Sequence, residues 1–219
     1  MQTNKQIFIF GGLALAVIVV IAVLAVMSGG NQYALEEHRI ADSALLVKDK
    51  SHMTAGKNAK VTIVEFGDYQ CPACGAAHPI VKQMLEAYKN NKDVNFVFRN
   101  FPLPQHKNAR VAAEAAEEAG AQDKFWEMHD ALYEHQSEWS DSDDALSAFA
   151  NYARQIGMDA DKLRQEVGKS AFEDAIQADV NDGNAAGVNS TPTFFINGSM
   201  MVGVPSIGAF KAAIDAKLK

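Results

Sequence analysis

The only two cysteines of the chain, Cys71 and Cys74, lie within four residues of each other and directly follow a strand-like segment. Residues 61–66 are rich in β-branched side chains and end at a Gly-Asp pair, which is typical of a buried strand that leads into a turn. Apolar residues then recur at helical spacing, which predicts a helix over residues 71–89. The cysteine pair is therefore expected where a strand passes into a helix.

Two intervening residues, Pro72 and Ala73, let both sulfurs meet in the first helical turn, where backbone N–H groups favour an anion. This setting lowers a thiol pKa, so we expect Cys71 to be the exposed nucleophile and Cys74 the partly buried resolving thiol. Pro72 suits this turn because its missing N–H would have no partner there. The alternatives are a static disulfide, which would constrain so short a loop little, and half of a metal site, for which no further cysteine exists.

Residues 7–27 form a run of 21 positions without a charged side chain. As a helix, a run of this length crosses the hydrocarbon layer of about 30 Å. A cleaved signal peptide has a shorter apolar core and a small-x-small site, which the large Met27 does not match. We therefore expect residues 1–28 to be a cytoplasmic tip and an uncleaved transmembrane anchor, with a cleaved signal as the alternative.

Charges on either side of the apolar run indicate its orientation. Lys5 precedes the run, and the acidic Glu36 and Glu37 follow it. The positive-inside rule then places the amino terminus in the cytoplasm. The prediction is a single-pass protein of the cell membrane, with an extracytoplasmic tether over residues 29–57 and the remaining body outside. A cysteine pair can persist as a disulfide in an oxidising space of this kind.

The body, residues 58–219, has the predicted order β-α-β, a helical block at about residues 104–184, and β-β-α. Its later predicted elements are a strand at 94–99, a strand at 193–196, an Asn-Gly hairpin turn, a strand at 200–203 and a last helix at 206–218. Two parts of a sheet separated by helices indicate one α/β layer with an inserted helical domain.

Composition excludes two other classes of function. The 27 acidic residues outnumber the 20 basic ones, so no nucleic-acid partner is expected. His106, His129 and His135 show no metal-ligand spacing with nearby carboxylates, so no metal site is predicted. His78 is expected to lie along the first helix without a catalytic role.

Two segments together resemble the thioredoxin superfamily, specifically its DsbA-like thiol–disulfide oxidoreductases. Residues 61–74, VTIVEFGDYQCPAC, are similar to the family's active-site strand and helix. Residues 187–198, GVNSTPTFFING, resemble its cis-proline loop. The resemblance covers about residues 58–219. It implies a thioredoxin-like α/β fold with an inserted helical domain, preceded in this chain by the N-terminal transmembrane helix.

The resemblance also implies roles for three residues. It makes the Thr191–Pro192 peptide bond cis and places it opposite the disulfide, where the backbone of Thr191 binds a substrate's cysteine segment. Glu65, six residues before Cys71, resembles the family's buried acid that assists proton movement at the resolving cysteine. The alternative for Glu65 is an ion pair with a lysine at a sheet edge, since an unpaired buried carboxylate is costly.

The predicted function is that of a membrane-anchored dithiol oxidase, which introduces disulfides into cysteine-containing secreted or surface polypeptides through Cys71 and Cys74. The resemblance implies no cofactor besides this redox-active pair and a membrane quinone-linked partner that reoxidises it. Strong oxidants of the family carry a histidine before the second cysteine, where this chain has Ala73. A reductase or isomerase role therefore stays open, as does a non-catalytic, membrane-tethered chaperone. We expect a monomer.

Overall fold

The computed structural model describes residues 41–55 and 58–219. The predicted anchor over residues 7–27 and the first part of the predicted tether lie outside these residues. Within the described ranges, no helix is both long enough and apolar enough to cross a membrane.

One mixed sheet forms the centre of the described chain. Its strands are β1 (His52–Met53), β2 (Val61–Gly67), β3 (Val94–Asn100), β4 (Thr193–Ile196) and β5 (Ser199–Val202). They lie in the order β1-β3-β2-β4-β5. Strands β2 and β3 are parallel, and the other neighbouring pairs are antiparallel. Strand β2 is thus central and almost wholly buried, which explains its nearly continuous apolar sequence.

Helices cover both faces of this sheet. They are α1 (Ser43–Leu46), α2 (Pro72–Tyr88), α3 (Ala109–Ala121), α4 (Phe125–Glu134), α5 (Gln136–Trp139), α6 (Ala145–Gln155), α7 (Ala160–Gly168), α8 (Glu173–Ala186) and α9 (Ile207–Leu218). Helices α3 to α8 separate β3 from β4 in the chain, in the part where the sequence predicts a helical block.

Alternate residues of β2 point into two separate cores. Val61 and Ile63 join a large core that includes residues of α2, α9 and the helices α3 to α7. Val64 and Phe66 join a smaller core on the opposite face, with α1 and the carboxyl end of α8. Side chains that alternate along a strand therefore hold helices on both faces of the sheet.

The segment before β2 corrects one prediction. Residues 41–55 belong to the folded body, because β1 pairs antiparallel with β3 and Leu46 of α1 is buried. The buried Arg99 of β3 donates hydrogen bonds to the carbonyl oxygens of Leu45 and Leu46 at 3.1 and 3.0 Å. The tether predicted over residues 29–57 is therefore wrong for this part. A four-residue helix and a two-residue strand are too short to produce a recognisable periodicity.

Candidate active site

The cysteine pair lies at the start of α2, just beyond the carboxyl end of the central strand β2. Cys71 is the N-cap residue of α2, and Pro72 occupies its first position. Cys71 is 7% exposed and Cys74 is completely buried, and both are present as free thiols. The order of exposure agrees with the expectation for a nucleophile and a resolving thiol. Both side chains are deeper than predicted, because the loop before β4 covers Cys71.

That covering loop contains the cis peptide bond that the resemblance implied, between Thr191 and Pro192. The sulfur of Cys71 lies 3.4 Å from the carbonyl oxygen of Thr191, to which the thiol donates. The buried hydroxyl of Thr191 has no hydrogen-bond partner among the described residues while Cys71 is a thiol, and it can donate to the sulfur once Cys71 is a thiolate. Thr191 thus presents both a carbonyl oxygen and a hydroxyl group at the first cysteine.

Gln136 of α5, which lies in the helical block between β3 and β4, holds the loop before α2 in place. Its side-chain nitrogen donates to the carbonyl oxygens of Tyr69 and Cys71 at 2.7 and 3.0 Å. Gly75 makes this approach possible, since a Cβ there would lie 2.5 Å from the side-chain oxygen of Gln136. No local sequence pattern indicated this contact, because the residues that it joins are far apart in the chain.

Asp68 holds the same loop from the other side. Its carboxylate accepts hydrogen bonds from the backbone N–H of Gln70 and of Leu103, each at 2.8 Å. His106 lies 2.6 Å from the same carboxylate through Nδ1. His106 therefore supports the loop, which sequence spacing alone did not indicate.

Cys71 has the properties of an activated nucleophile. Its pKa falls to about 5, chiefly because the thiol of Cys74 donates a hydrogen bond to its sulfur; burial opposes this effect. The side chain of Thr191 and the backbone N–H groups of Ala73 and Cys74 lower the pKa further. Cys71 is therefore a thiolate at neutral pH when the pair is reduced.

Cys74 has the opposite properties. Burial raises the pKa of its thiol well above the ordinary value, and the hydrogen bond with Cys71 and the charge of Glu65 add to this effect. The backbone N–H of Asp68, 3.5 Å from the sulfur, opposes it only in part. Cys74 therefore keeps its proton at a pH at which Cys71 has lost its own.

Glu65 lies in the middle of the sheet, on β2, and is 3% exposed. In the register of the sheet it is opposite Phe98 of β3 and Phe194 of β4. The alternative of an ion pair at a sheet edge is wrong, because β2 is central and no lysine of the described residues pairs with Glu65. Burial, and then the charge of Cys71, raise the pKa of Glu65 to about 8, so its carboxyl is protonated at neutral pH.

Behind Cys74 lies a group of buried polar side chains that the sequence did not predict. The hydroxyl of Tyr133 is buried without a hydrogen-bond partner among the described residues. The hydroxyl of Tyr69 lies 3.1 Å from Nδ1 of His129, whose ring is 5.4 Å from that of His78. Burial lowers the pKa of both histidines, so they are neutral. These residues come from α2, α4 and the loop before α2, so no local spacing revealed them.

Together these residues are suited to thiol–disulfide exchange. The site contains a stabilised thiolate, a protonated second thiol and a carboxyl group that is neutral near pH 7. Thiolate attack, departure of a sulfur leaving group and proton transfer all require groups of these kinds.

Comparison with known proteins identifies a family and a fold. The sequence profile of the family described as Thioredoxin matches residues 48–216. Among solved structures, oxidised BdbD from Bacillus subtilis is 26% identical with a TM-score of 0.70, and the match covers 77% of this chain and 92% of BdbD. The thiol–disulfide exchange protein α-DsbA2 from Wolbachia pipientis shares the fold, with 23% identity, a TM-score of 0.67 and coverage of 78% and 89%.

The chain is also similar to part of a protein named as a transporter. This relative is the Na⁺/H⁺ antiporter NhaA 1 of Salinispora arenicola, which is 40% identical over 169 residues. The match covers 77% of this chain but only 25% of that protein. The chain therefore spans about a quarter of the length of this relative, whose name describes a much longer protein.

Proposed function

The chain belongs to the thioredoxin family as a thiol–disulfide oxidoreductase of the DsbA type, and we propose that it acts as a dithiol oxidase anchored in a membrane. Its redox group is its own cysteine pair, Cys71 and Cys74. The proposed substrates are secreted or surface polypeptides that contain two reduced cysteines. The observation that carries the direction of the reaction is the low pKa of Cys71.

In the proposed reaction, a substrate thiolate attacks the sulfur of Cys71 in the oxidised pair. A mixed disulfide forms as the Cys71–Cys74 bond breaks, and the sulfur of Cys74 takes the released electron pair and a proton. A second substrate thiolate then attacks the substrate's own sulfur in the mixed disulfide and releases Cys71 as a thiolate. Two electrons have then passed from the substrate dithiol to the cysteine pair.

The environment of Cys71 favours this direction. A thiol whose pKa is near the ordinary value of 9 is protonated at pH 7. A lower pKa therefore stabilises the reduced pair at pH 7 only by the number of units by which that pKa lies below 7. With a pKa of about 5, this stabilisation is about two pKa units, or about 60 mV toward a more oxidising potential. A pair that is stable when reduced readily takes electrons from substrates.

Glu65 is proposed as the proton donor to Cys74 during formation of the mixed disulfide. Its carboxyl is protonated at neutral pH, and its ionised form would raise the pKa of Cys74 further, so the two groups interact directly. A buried sulfur that leaves as an anion is costly unless it is protonated in the same step. The neutral carboxyl group of Glu65 can supply that proton.

Thr191 and Pro192 are proposed to bind the substrate segment that carries the attacking cysteine. The carbonyl oxygen of Thr191 lies beside the Cys71 sulfur and can accept a backbone N–H from an extended peptide. Proline has no N–H of its own, so the contact is made through the carbonyl oxygen at this position. Sequence preference of the substrate is then weak, because backbone atoms make the contact.

Anchoring and location form a second part of the proposal. The apolar run of residues 7–27, preceded by Lys5 and followed by acidic residues, supports a single-pass anchor in the cell membrane with the folded body outside. A membrane quinone-linked enzyme is the proposed reoxidant. Washing membranes at alkaline pH tests the anchor: the protein stays in the membrane fraction. Recovery in the soluble fraction with a new amino terminus would contradict it.

The reduction potential of the cysteine pair tests the direction of catalysis. We expect a value well above that of thioredoxin, which is about −270 mV, and toward the value of about −120 mV for strong oxidants. A value near −270 mV would indicate a reductase. Folding of a client with the Cys71→Ser variant tests the chaperone alternative, since a chaperone works without the thiol and an oxidase does not.

A further inference from the structure

A second group of ionisable side chains lies beyond Cys74, between α2 and α4. His78 of α2 faces His129 and Asp130 of α4, and one possible ligand atom from each lies within 4.8 Å of the others. The two histidines are 6% and 3% exposed. The side chain of Asp130 is 38% exposed. The group therefore extends from the core to the surface, where an ion can enter.

The side chain of His78 points into this group, but its Nε2 makes no hydrogen bond there. Its Nε2 lies 3.5 Å from Oδ1 of Asp130. This nitrogen is buried and has no hydrogen-bond partner in residues 41–55 and 58–219. Buried polar atoms without a partner are uncommon because they lose the hydrogen bond that water would provide. A ligand bound at Nε2 would satisfy the atom.

The distances suit a tetrahedral metal ion. Two ligand atoms on one Zn²⁺ ion, with bonds of about 2.0–2.1 Å, lie about 3.4 Å apart. The separation between His78 Nε2 and Asp130 Oδ1 is 3.5 Å, close to this value. The third atom, from His129, is within 4.8 Å and needs a side-chain shift on the order of 1 Å to complete the set.

Tyr69 already supports one of these ligands. Its hydroxyl lies 3.1 Å from Nδ1 of His129, deep in the core. Histidines that bind a metal through one nitrogen commonly make a hydrogen bond through the other, which fixes the orientation of the ring. With Nδ1 held by Tyr69, Nε2 of His129 is the nitrogen left for an ion.

Lys82 is the local competitor. Its ammonium lies 2.8 Å from Oδ2 of Asp130 and 2.8 Å from Glu134. The oxygen that faces His78 is the other one, Oδ1. Because the side chain of Lys82 is 45% exposed, its ammonium can move into solvent. Lys82 is therefore expected to weaken the binding of a cation without blocking it.

We propose that His78, His129 and Asp130 form a binding site for a divalent transition-metal ion, with Zn²⁺ as the ion that fits best. Two imidazoles and one carboxylate match the ligands of Zn²⁺, whereas Ca²⁺ and Mg²⁺ take oxygen ligands. Bound metal joins α2 to α4 one helical turn from Cys74. The sequence predicted no metal site because the ligands come from helices that are far apart in the chain. The proposal is independent of the direction of the redox reaction.

The test uses the full chain in detergent, with Cys71 and Cys74 oxidised to the disulfide so that free thiols cannot bind metal. Zn²⁺ is titrated in competition with a chromogenic chelator, and thermal unfolding is followed with and without Zn²⁺. Wild-type protein is expected to bind one equivalent and to unfold at a higher temperature with the ion present. Absence of binding, or no change in the unfolding temperature, would overturn the proposal.

Three variants make the test specific. Asp130→Asn removes a ligand at a partly exposed position and is expected to weaken binding at least about tenfold. Glu127→Gln is the matched control, because it removes one negative charge from the same helix at a residue paired with Lys124, and it should change affinity less than about twofold. Lys82→Met should tighten binding severalfold, since it removes the competing cation. Equal affinity in Asp130→Asn and Glu127→Gln would indicate adventitious surface zinc and contradict the site.

Discussion

The outer and inner halves of the active site shift the pKa values of two identical thiols in opposite directions. The outer half consists of Cys71, Thr191 and Pro192, and the inner half of Cys74 and Glu65. Hydrogen bonds lower the pKa of Cys71 to about 5, whereas burial raises that of Cys74 well above its ordinary value. Position in one helical turn, together with the number of donors, therefore favours a thiolate at Cys71 and a protonated thiol at Cys74.

The largest expected effect comes from removing the outer sulfur. Cys71→Ser should lower dithiol oxidation by at least about 10³-fold, because the attacked atom is lost. Oxidation of a reduced two-cysteine peptide measures this change.

The matched variant is Cys74→Ser, which keeps the outer thiolate but removes the resolving sulfur. It should retain a low-pKa thiol that attacks a disulfide already present in a substrate, displaces one substrate thiolate and accumulates as the mixed disulfide. If the two serine variants behaved alike in trapping substrate, the assignment of the two roles would be wrong.

Glu65→Gln should have the next largest effect. The variant lacks the proton donor for Cys74, so formation of the mixed disulfide at pH 7 should slow by about 10- to 100-fold. In the wild-type protein the same rate, corrected for substrate ionisation, should decline as the pH rises through the pKa of Glu65, which burial holds above its ordinary value. Stopped-flow measurement of Trp fluorescence can follow this step. An unchanged rate and pH profile in the variant would remove Glu65 from the mechanism.

The raised pKa of Glu65 also predicts a pH dependence of stability. Its folded pKa of about 8 lies above the ordinary value of 4.5, so the folded state holds a proton that the unfolded state releases. Glu65 therefore contributes a decrease in the free energy of unfolding as the pH rises from about 5 to 8. In the reduced protein this decrease offsets the increase contributed by Cys71, whose folded pKa of about 5 lies below the ordinary value of 9. Glu65→Leu should therefore make the stability of the reduced protein rise with pH over this range, and should raise it at pH 7 by about 1–3 kcal/mol. Urea unfolding of the reduced proteins at several pH values checks both statements.

Thr191→Val should have a smaller effect than the Glu65 variants, and it should change the pKa of Cys71 in the outer half only. It removes the hydroxyl that helps to lower the pKa of Cys71, and a hydrogen bond to a charged group contributes about 1.5–3 kcal/mol. We expect the pKa of Cys71 to rise by about one unit and that of Cys74 to change little. A titration of iodoacetamide reactivity against pH measures the change. Equal changes at both thiols would show that the two halves are not separate.

Ala73→His should have the smallest effect, in the opposite direction. A histidine before Cys74 would add a donor near the Cys71 thiolate, but residue 73 is partly exposed to solvent. Such a contact is worth at most about 1 kcal/mol, or about 20 mV in the potential of the pair. Equilibration with glutathione detects a shift of this size toward a more oxidising value. A shift toward a more reducing value would contradict the account.

Much of this arrangement could be predicted from local sequence. The strands β2 to β4, the helix that begins at the cysteine pair and the Asn-Gly hairpin all carry periodic or turn signals, and the structure places them within about two residues of the prediction. The positions of Cys71 and Cys74 followed from their motif, whereas the cis Thr191–Pro192 bond was predicted only from the resemblance to the family. These elements depend mainly on interactions between residues that are close in the chain.

The remainder depends on contacts between distant segments. Gln136 reaches the loop before α2 across 65 residues, and Tyr69 meets His129 across 60. Strand β1 is two residues long and exists because β3 provides its partner. The depth of Cys71 likewise depends on the loop that carries Thr191. No pattern within a single segment contains these contacts.

A pH titration of the reduced protein, followed by thiolate absorbance at 240 nm, would distinguish the two thiols directly. We expect two separate transitions, one near pH 5 for Cys71 and one well above pH 9 for Cys74. Cys71→Ser should lose the lower transition and Cys74→Ser the upper one. A single transition near pH 8.5 to 9, typical of unperturbed thiols, would contradict the division between the two halves and the oxidase role that rests on it.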